Sequence, residues 1–314
     1  MLKVGVVGVG GISGAHIAAW DKVENAELVA LCDIRPEQMD QYENVNKYTD
    51  FEAMLDAENL DIVDICLPTF LHADYAVKAL ERGINTVCEK PISLKKDDVK
   101  RVYDTAEKHG VKFMVAQVLR FWPEFELVRS IYQDGRYGRL LSGTMMRLGN
   151  CPDWTWNHWM KDEKLSGLVP FDLHIHDLDF LVYTFGKPQS VLSRRSKLPN
   201  QDHISMVYDY EEFSITAESA WYAAPYPFMG EFRFQFENAV VAYEGGKVTI
   251  YEVGGNILKQ DDEAAGDTGS INLPQSDAFQ IELSYFAECV EKNEPVTKVK
   301  ASELEAVIEL LNTL

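Results

Sequence analysis

A chain of 314 residues, 46% hydrophobic and 25% charged, is long enough for about two domains with sizeable cores. Its 50 acidic against 30 basic residues give a net charge of -20, which disfavours nucleic acid and anionic membrane as partners because both repel an acidic surface. No apolar run approaches the roughly 18 residues of a membrane span. Five cysteines (Cys32, Cys66, Cys88, Cys151, Cys289) without CxxC spacing indicate neither a disulfide framework nor a zinc site, so no metal is expected and a reducing cytoplasm is the expected location.

The start, MLKVGVVGVGGISG, is apolar, lacks a cluster of positive charge and runs straight into a glycine motif, so it reads as a first strand rather than a signal peptide. LKVGVVG, ELVALCD, DIVDICLP, NTVCEKP and KFMVA are strand-like runs of the kind covered on both faces. Helices are expected between them, among them Ala73–Arg82 and Lys96–His109, the latter closed by Gly110. This alternation predicts a doubly wound parallel sheet over residues 1–120. From 121 to 314 the character changes to a second α/β domain. A helix is expected at Glu124–Asp134, then a tryptophan-rich stretch, then an apolar helix at Phe171–Phe185. From Ser190 to Tyr251 the sequence alternates as strands do and predicts an open, mostly antiparallel sheet. The acidic, polar stretch Gln260–Ser270 reads as a mobile loop. Helices at about Asp277–Lys292 and Ser302–Leu314 close the chain, with room to pack back on the first domain.

Gly8-Val9-Gly10-Gly11-Ile12-Ser13 follows the first strand and opens a helix: G-x-G-x-x-G with serine in the third place. Gly8 permits the tight turn, Gly10 lets a pyrophosphate approach the backbone, and the helix N-terminus offers free N–H groups to phosphate. Asp33 ends the second strand twenty residues after Ser13, where a carboxylate accepts bonds from the adenosine ribose and repels a 2′-phosphate. This Rossmann arrangement predicts NAD as cofactor, with NADP kept open by Arg35. The competing reading is a turn glycine and a surface aspartate.

Glu89-Lys90-Pro91 ends a strand at the sheet edge where ligands bind, and a lysine there can hold a hydroxyl and stabilise an alkoxide. A solvated lysine before a turn proline is the alternative. In Asp172-Leu173-His174-Ile175-His176-Asp177, a helix puts Asp172 and His176 on one face and turns His174 away. Histidine suits proton abstraction near neutral pH and a carboxylate can orient its ring. The His-x-His pair with Asp172 or Asp177 could instead ligate a metal, and structural histidines are the plainer reading.

Together these elements resemble the Gfo/Idh/MocA family of oxidoreductases over nearly the whole chain. The resemblance rests on the glycine fingerprint with His16, on Pro68-Thr69 and His72, on Glu89-Lys90-Pro91, on Ser166-Gly167-Leu168 where many members have three glycines, on Asp172 with His176, and on Phe279, Glu282 and Phe286. It implies oxidation of a secondary alcohol of a sugar, polyol or inositol-like compound, or reduction of the ketone. Lys90 would bind the reacting hydroxyl, His176 would take its proton and Asp172 would orient the site. Gly8, Gly10, Gly11, Ile12, Ser13, Asp33, Arg35, Pro68, Thr69, His72, Glu89 and Lys90 would line the cofactor. The second-domain sheet, often the oligomer interface in the family, implies a homo-oligomer, dimer or tetramer. Arg120 and Trp122, with Trp156 in the segment Cys151–Lys164, are expected substrate contacts, since flat rings cover pyranose faces and neighbours such as Asn157 or His158 can bond hydroxyls. Core or subunit-interface tryptophans are the alternative. The rivals to simple dehydrogenation are an NAD-assisted glycoside-cleaving or epimerising enzyme of the same fold and a non-catalytic ligand-sensing regulator.

Overall fold

The computed structural model describes residues 1–260, the backbone of 270–271, and residues 277–314. In chain order the first elements are β1 (Leu2–Val7), α1 (Ser13–Trp20), β2 (Ala26–Cys32), β3 (Asn46–Tyr48), α2 (Phe51–Ala57), β4 (Ile62–Ile65), α3 (His72–Glu81), β5 (Asn85–Glu89), α4 (Lys96–His109) and β6 (Phe113–Ala116). The six strands are parallel, in the order β3-β2-β1-β4-β5-β6. Val4, Val6, Ile62, Ile65, Val87, Met114 and Val115 are fully buried, as expected where helices cover both faces of a sheet. The expected strands are all present. Only β3 carried no sequence signal: it is three polar-rich residues at the sheet edge, too short to show a pattern.

The chain continues with α5 (Pro123–Asp134), β7 (Leu140–Asn150), α6 (Glu163–Ser166) and α7 (Ile175–Phe185). Strands β8 (Ser190–Leu198), β9 (Gln201–Asp209), β10 (Ser214–Tyr222), β11 (Met229–Phe236), β12 (Ala239–Glu244), β13 (Lys247–Glu252), β14 (Ile257–Gln260) and β15 (Ser270–Ile271) follow, then α8 (Ala278–Glu291) and α9 (Ala301–Leu311). Among the described residues the second sheet has nine strands, ordered β15-β14-β13-β12-β11-β7-β10-β9-β8. Its pairings are antiparallel except β7 with β10 and β14 with β15. The central strand β7 was not among the expected ones. Most of the expected acidic loop lies at 261–269, outside the described residues, while its ends Gln260 and Ser270 fall in strands.

Two compact units result. The first comprises Met1–Phe121, Thr155–Ser166 and Ser276–Glu309, so it holds the parallel sheet, α8 and nearly all of α9. The tryptophan-bearing stretch Thr155–Ser166 therefore clusters with the first unit, not with the second domain to which the sequence pattern assigned it. The second unit comprises Trp122–Trp154, Gly167–Gln275 and Leu310–Leu314. Its core is aromatic: Phe125 of α5 lies 5.1 Å from the ring of Phe180 of α7 and 5.0 Å from that of Phe232 of β11. The strands alternate accordingly, with Met145, Ile204, Met206, Ile215 and Phe234 buried while Ser205 and Thr216 are exposed. Among the described residues no helix is long and apolar enough to cross a membrane.

Candidate active site

In the first unit the predicted nucleotide residues gather at the carboxyl edge of the parallel strands. Gly8 leaves β1 with φ +89°, and a β-carbon there would lie 2.7 Å from the carbonyl oxygen of Cys66, at the end of β4. Only glycine allows that approach. Gly8→Ala is expected to cost about 1–3 kcal/mol from strain alone, read as a lowered thermal midpoint with weakened NADH binding; an unchanged midpoint would show that the turn relaxes. Gly10, Gly11 and Ile12 are exposed, and a β-carbon on Gly10 would meet nothing within 4 Å. The N-terminus of α1 has no side-chain cap and no acidic residue in its first turn. Its N–H groups and dipole thus face open space, which suits a phosphate. Ser13, in place of the third glycine, is fully buried and donates its hydroxyl to the Gly10 carbonyl at 2.8 Å, bracing the turn.

Asp33 fixes the same turn from β2. Its Oδ2 accepts the Val9 N–H at 2.8 Å, and its Oδ1 accepts the Arg35 N–H at 2.8 Å and the Arg35 Nε–H at 3.4 Å. The guanidinium expected to leave room for a 2′-phosphate is therefore folded onto the aspartate. Pro68 and Thr69 open a tight 3-10 turn directly after β4, beside the Gly8 loop. These residues fit a dinucleotide: a turn with an open cradle, an uncapped helix end and a carboxylate at the end of β2.

Two other predicted cofactor contacts turn out to face inward. His72 is buried, with Nδ1 2.7 Å from the Pro91 carbonyl and Nε2 2.6 Å from the Leu67 carbonyl. Burial lowers its pKa. Its neutral ring is packed between the loops that follow β4 and β5, with one N–H to donate to one of these two carbonyls. Glu89 is buried too, with Oε1 2.9 Å from His16 Nε2 and Oε2 accepting the Lys90 N–H at 3.0 Å. Lys90 itself is half-buried, one residue beyond β5 at the ligand-binding edge. Burial pushes the thiol of Cys66 up to about 12 and raises that of Cys88 well above its ordinary value, so these cysteines behave as small hydrophobes.

The expected substrate contacts fare unevenly. Arg120 is a correction: it is fully buried, and its guanidinium donates to the Lys298 carbonyl and to Glu303, stapling the turn after β6 to α9. A buried guanidinium demands such partners, and sequence position alone does not reveal them. Trp122 stands at the N-terminal cap of α5 and is half-buried. Trp156 is 37% exposed and precedes two left-handed residues, Asn157 and His158. Among its neighbours, Trp159 meets the Phe70 ring edge-on at 6.3 Å.

In the second unit, residues Pro170–His174 form a π-helical turn that runs into α7. Such turns take one residue more than an α turn and are frequent at functional sites. Gly167, at φ +74°, sits where a β-carbon would overlap the Phe171 ring, which explains a glycine just before this turn. Asp172, Leu173 and His176 are half-buried, whereas His174, Ile175 and Asp177 are buried. Asp172 and His176 are thus both more accessible than His174 and Asp177. His174 points into the core, with Nδ1 3.0 Å from the Ser219 hydroxyl and Nε2 2.5 Å from the Tyr208 hydroxyl. Burial, with the Arg147 guanidinium, pushes its pKa down to about 3. Asp177 accepts from Arg147 at 2.7 Å, and burial nonetheless raises its pKa. With His174 and Asp177 committed in this way, the metal-ligand alternative keeps only His176 and Asp172 of its four donors. Among the described residues the one His/Cys/Asp/Glu group close enough to share an ion is His16, Asp64 and Cys66, where both imidazole nitrogens already face carboxylates.

Residues 2–117 match an oxidoreductase family described by its NAD-binding Rossmann fold, and residues 125–247 match the GFO/IDH/MocA C-terminal domain. The two matched models thus describe an NAD-binding Rossmann domain followed by a C-terminal domain of the same family. The chain belongs to the Gfo/Idh/MocA family. It is 28% identical to glucose-6-phosphate 3-dehydrogenase of Bacillus subtilis (strain 168) over 224 residues, 68% of this chain and 63% of that protein. It is 30% identical to D-glucoside 3-dehydrogenase of Escherichia coli (strain K12) over 192 residues, 60% of this chain and 55% of that protein. The matched stretch thus spans less than two thirds of the length of these curated relatives. A levoglucosan dehydrogenase solved in complex with NADH and levoglucosan has TM-score 0.85 over 99% of this chain and 95% of that one; at 18% identity it shows the shared fold.

Proposed function

We propose that this protein is an NAD(H)-dependent dehydrogenase acting on a secondary alcohol, or the corresponding ketone, of a sugar, polyol or inositol-like compound. The observation that carries the reading is Lys90 at the carboxyl end of β5, on the same sheet edge as the open, uncapped glycine turn. When bound, NAD supplies a hydride acceptor. Gly10, Gly11, Ile12 and Ser13 hold its phosphates, and Asp33 the adenosine ribose. Lys90 binds the reacting oxygen and stabilises the charge that develops there. His176 takes the hydroxyl proton, and Asp172 orients it. The relatives named above act on glucose-6-phosphate and on D-glucosides, and this supports a carbohydrate-like substrate.

A panel of polyols, aldoses and ketosugars, followed at the NADH absorbance band, tests the activity. Catalytic efficiency is expected to be higher with NAD(H) than with NADP(H), because Asp33 repels a 2′-phosphate and already engages Arg35. Equal or better efficiency with NADP(H) would contradict that preference and point to Arg35. Bound NADH without turnover on any substrate would favour the ligand-sensing regulator.

The assembly belongs to the same proposal. The face of the second sheet away from α7 carries an open groove of about 280 Å³ lined by Thr144, Met146, Leu192, Val207 and Thr216, which supports a homo-oligomer built on that sheet. The free, buried cysteines support a cytoplasmic location.

A further inference from the structure

His16 is fully buried in α1, yet it is polar on both sides. Its Nδ1 lies 2.8 Å from Asp64 Oδ2 and its Nε2 2.9 Å from Glu89 Oε1. A neutral imidazole has one N–H and can donate to one carboxylate; an imidazolium satisfies both. Burial opposes that charge, but the Asp64 carboxylate outweighs it and holds the pKa of His16 well above its ordinary value. Asp64 is fixed in turn by the Trp20 indole N–H at 2.8 Å, and the Phe279 ring of α8 covers the imidazole at 5.6 Å. On the other side, burial pushes the Glu89 carboxyl up, but its bond to His16 turns the balance and keeps it ionised. The second oxygen of Glu89 accepts the Lys90 N–H at 3.0 Å. One line of bonds therefore runs from β4 through α1 to the first residue after β5.

We propose that His16 is a positioning residue for Lys90: by bonding Asp64 through one ring nitrogen and Glu89 through the other, it sets the carboxylate that holds the Lys90 backbone, and with it the direction of the lysine side chain. The inference rests on the reading of Lys90 as the group that binds the reacting oxygen. A histidine that merely fills the core would be indifferent to which of its two nitrogens is replaced; a positioning histidine is not.

The test uses His16→Asn, whose amide reaches the place of Nδ1 and keeps Asp64 but loses Glu89, against His16→Gln, whose amide reaches the place of Nε2 and keeps Glu89. Each full-length variant is treated with limiting acetic anhydride without substrate. The labelling of Lys90 is read by peptide mass spectrometry against the exposed Lys95 and Lys108. His16→Asn is expected to change relative Lys90 labelling by at least about threefold and to lower kcat by about tenfold or more, with KM and NADH affinity within about twofold, since small displacements of a reacting group suffice for losses of this size. His16→Gln should stay near the parent protein in both readouts. Equal behaviour of the two variants, or unchanged labelling in His16→Asn, overturns the proposal. If His16→Asn does not fold, Glu89→Gln takes its place: altered Lys90 labelling supports the inference and unchanged labelling overturns it. Near-normal turnover in Lys90→Ala would instead defeat the catalytic reading of Lys90, while the labelling still decides what His16 does.

Discussion

Replacing Lys90 with Ala is expected to lower turnover by at least about a hundredfold, the usual scale for removing one group that stabilises developing charge. The lysine stands at the edge of the parallel sheet, and its backbone is fixed by the buried Glu89 carboxylate. On the proposed reading its ammonium meets the negative charge that develops on the reacting oxygen as hydride leaves. The loss should fall on kcat more than on cofactor affinity. The phosphates are assigned to the Gly10–Ser13 turn and the ribose to Asp33, and neither depends on the lysine. Steady-state rates together with NADH fluorescence titration separate the two. A Lys90→Ala protein with near-normal turnover would sink the assignment; one that has lost NADH binding as well would show that the lysine serves the cofactor site.

The second large effect is expected at His176. Oxidation of an alcohol needs the hydroxyl proton removed, and a positioned base commonly contributes about 10² to 10⁴-fold. A histidine accepts a proton only when neutral, so the oxidative rate should rise with pH through a single ionisation and level off once the ring has lost its proton. In His176→Ala both the ionisation and most of the rate should disappear. His174→Ala is the internal control. With its pKa pushed down to about 3, His174 is neutral throughout the working range and adds no ionisation there. Its removal should leave the pH profile in place but lower the thermal midpoint, because the Ser219 and Tyr208 hydroxyls lose a buried partner. A profile that survives in His176→Ala and vanishes in His174→Ala would reverse the roles. Activity lost to a chelator and restored by a divalent ion would replace the base with a metal.

Most of the first unit is legible from local pattern because its physics is local. A buried parallel strand is a continuous apolar run, and β1, β2, β4, β5 and β6 all stand where such runs occur. The glycine turn is equally local: its residues are contiguous, and the demand on Gly8 comes from the backbone of the neighbouring strand. Helix α4 and its Gly110 end follow from periodicity and capping. The segment that carries Asp172 and His176 is helical as expected, although it opens with a π-helical turn, and both residues are half-buried where His174 is buried.

What the sequence by itself could not assign is the direction of a polar side chain. Glu89, His72 and Arg120 sit in or near motifs that resemble ligand contacts, yet each turns inward. Their partners are His16, the carbonyls of Leu67 and Pro91, and Glu303 together with the Lys298 carbonyl. Arg120 and Glu303 are 183 positions apart, and His16 and Glu89 are 73 apart. No local pattern marks such pairs. Burial of a charge forces it to find a partner, but which partner depends on the strand order of the sheet and on the return of α8 and α9 to the first unit. Apolar periodicity and glycine geometry are properties of neighbouring residues and can be read along the chain. The pairing of buried charges is a property of the folded core, and only the tertiary structure decided it.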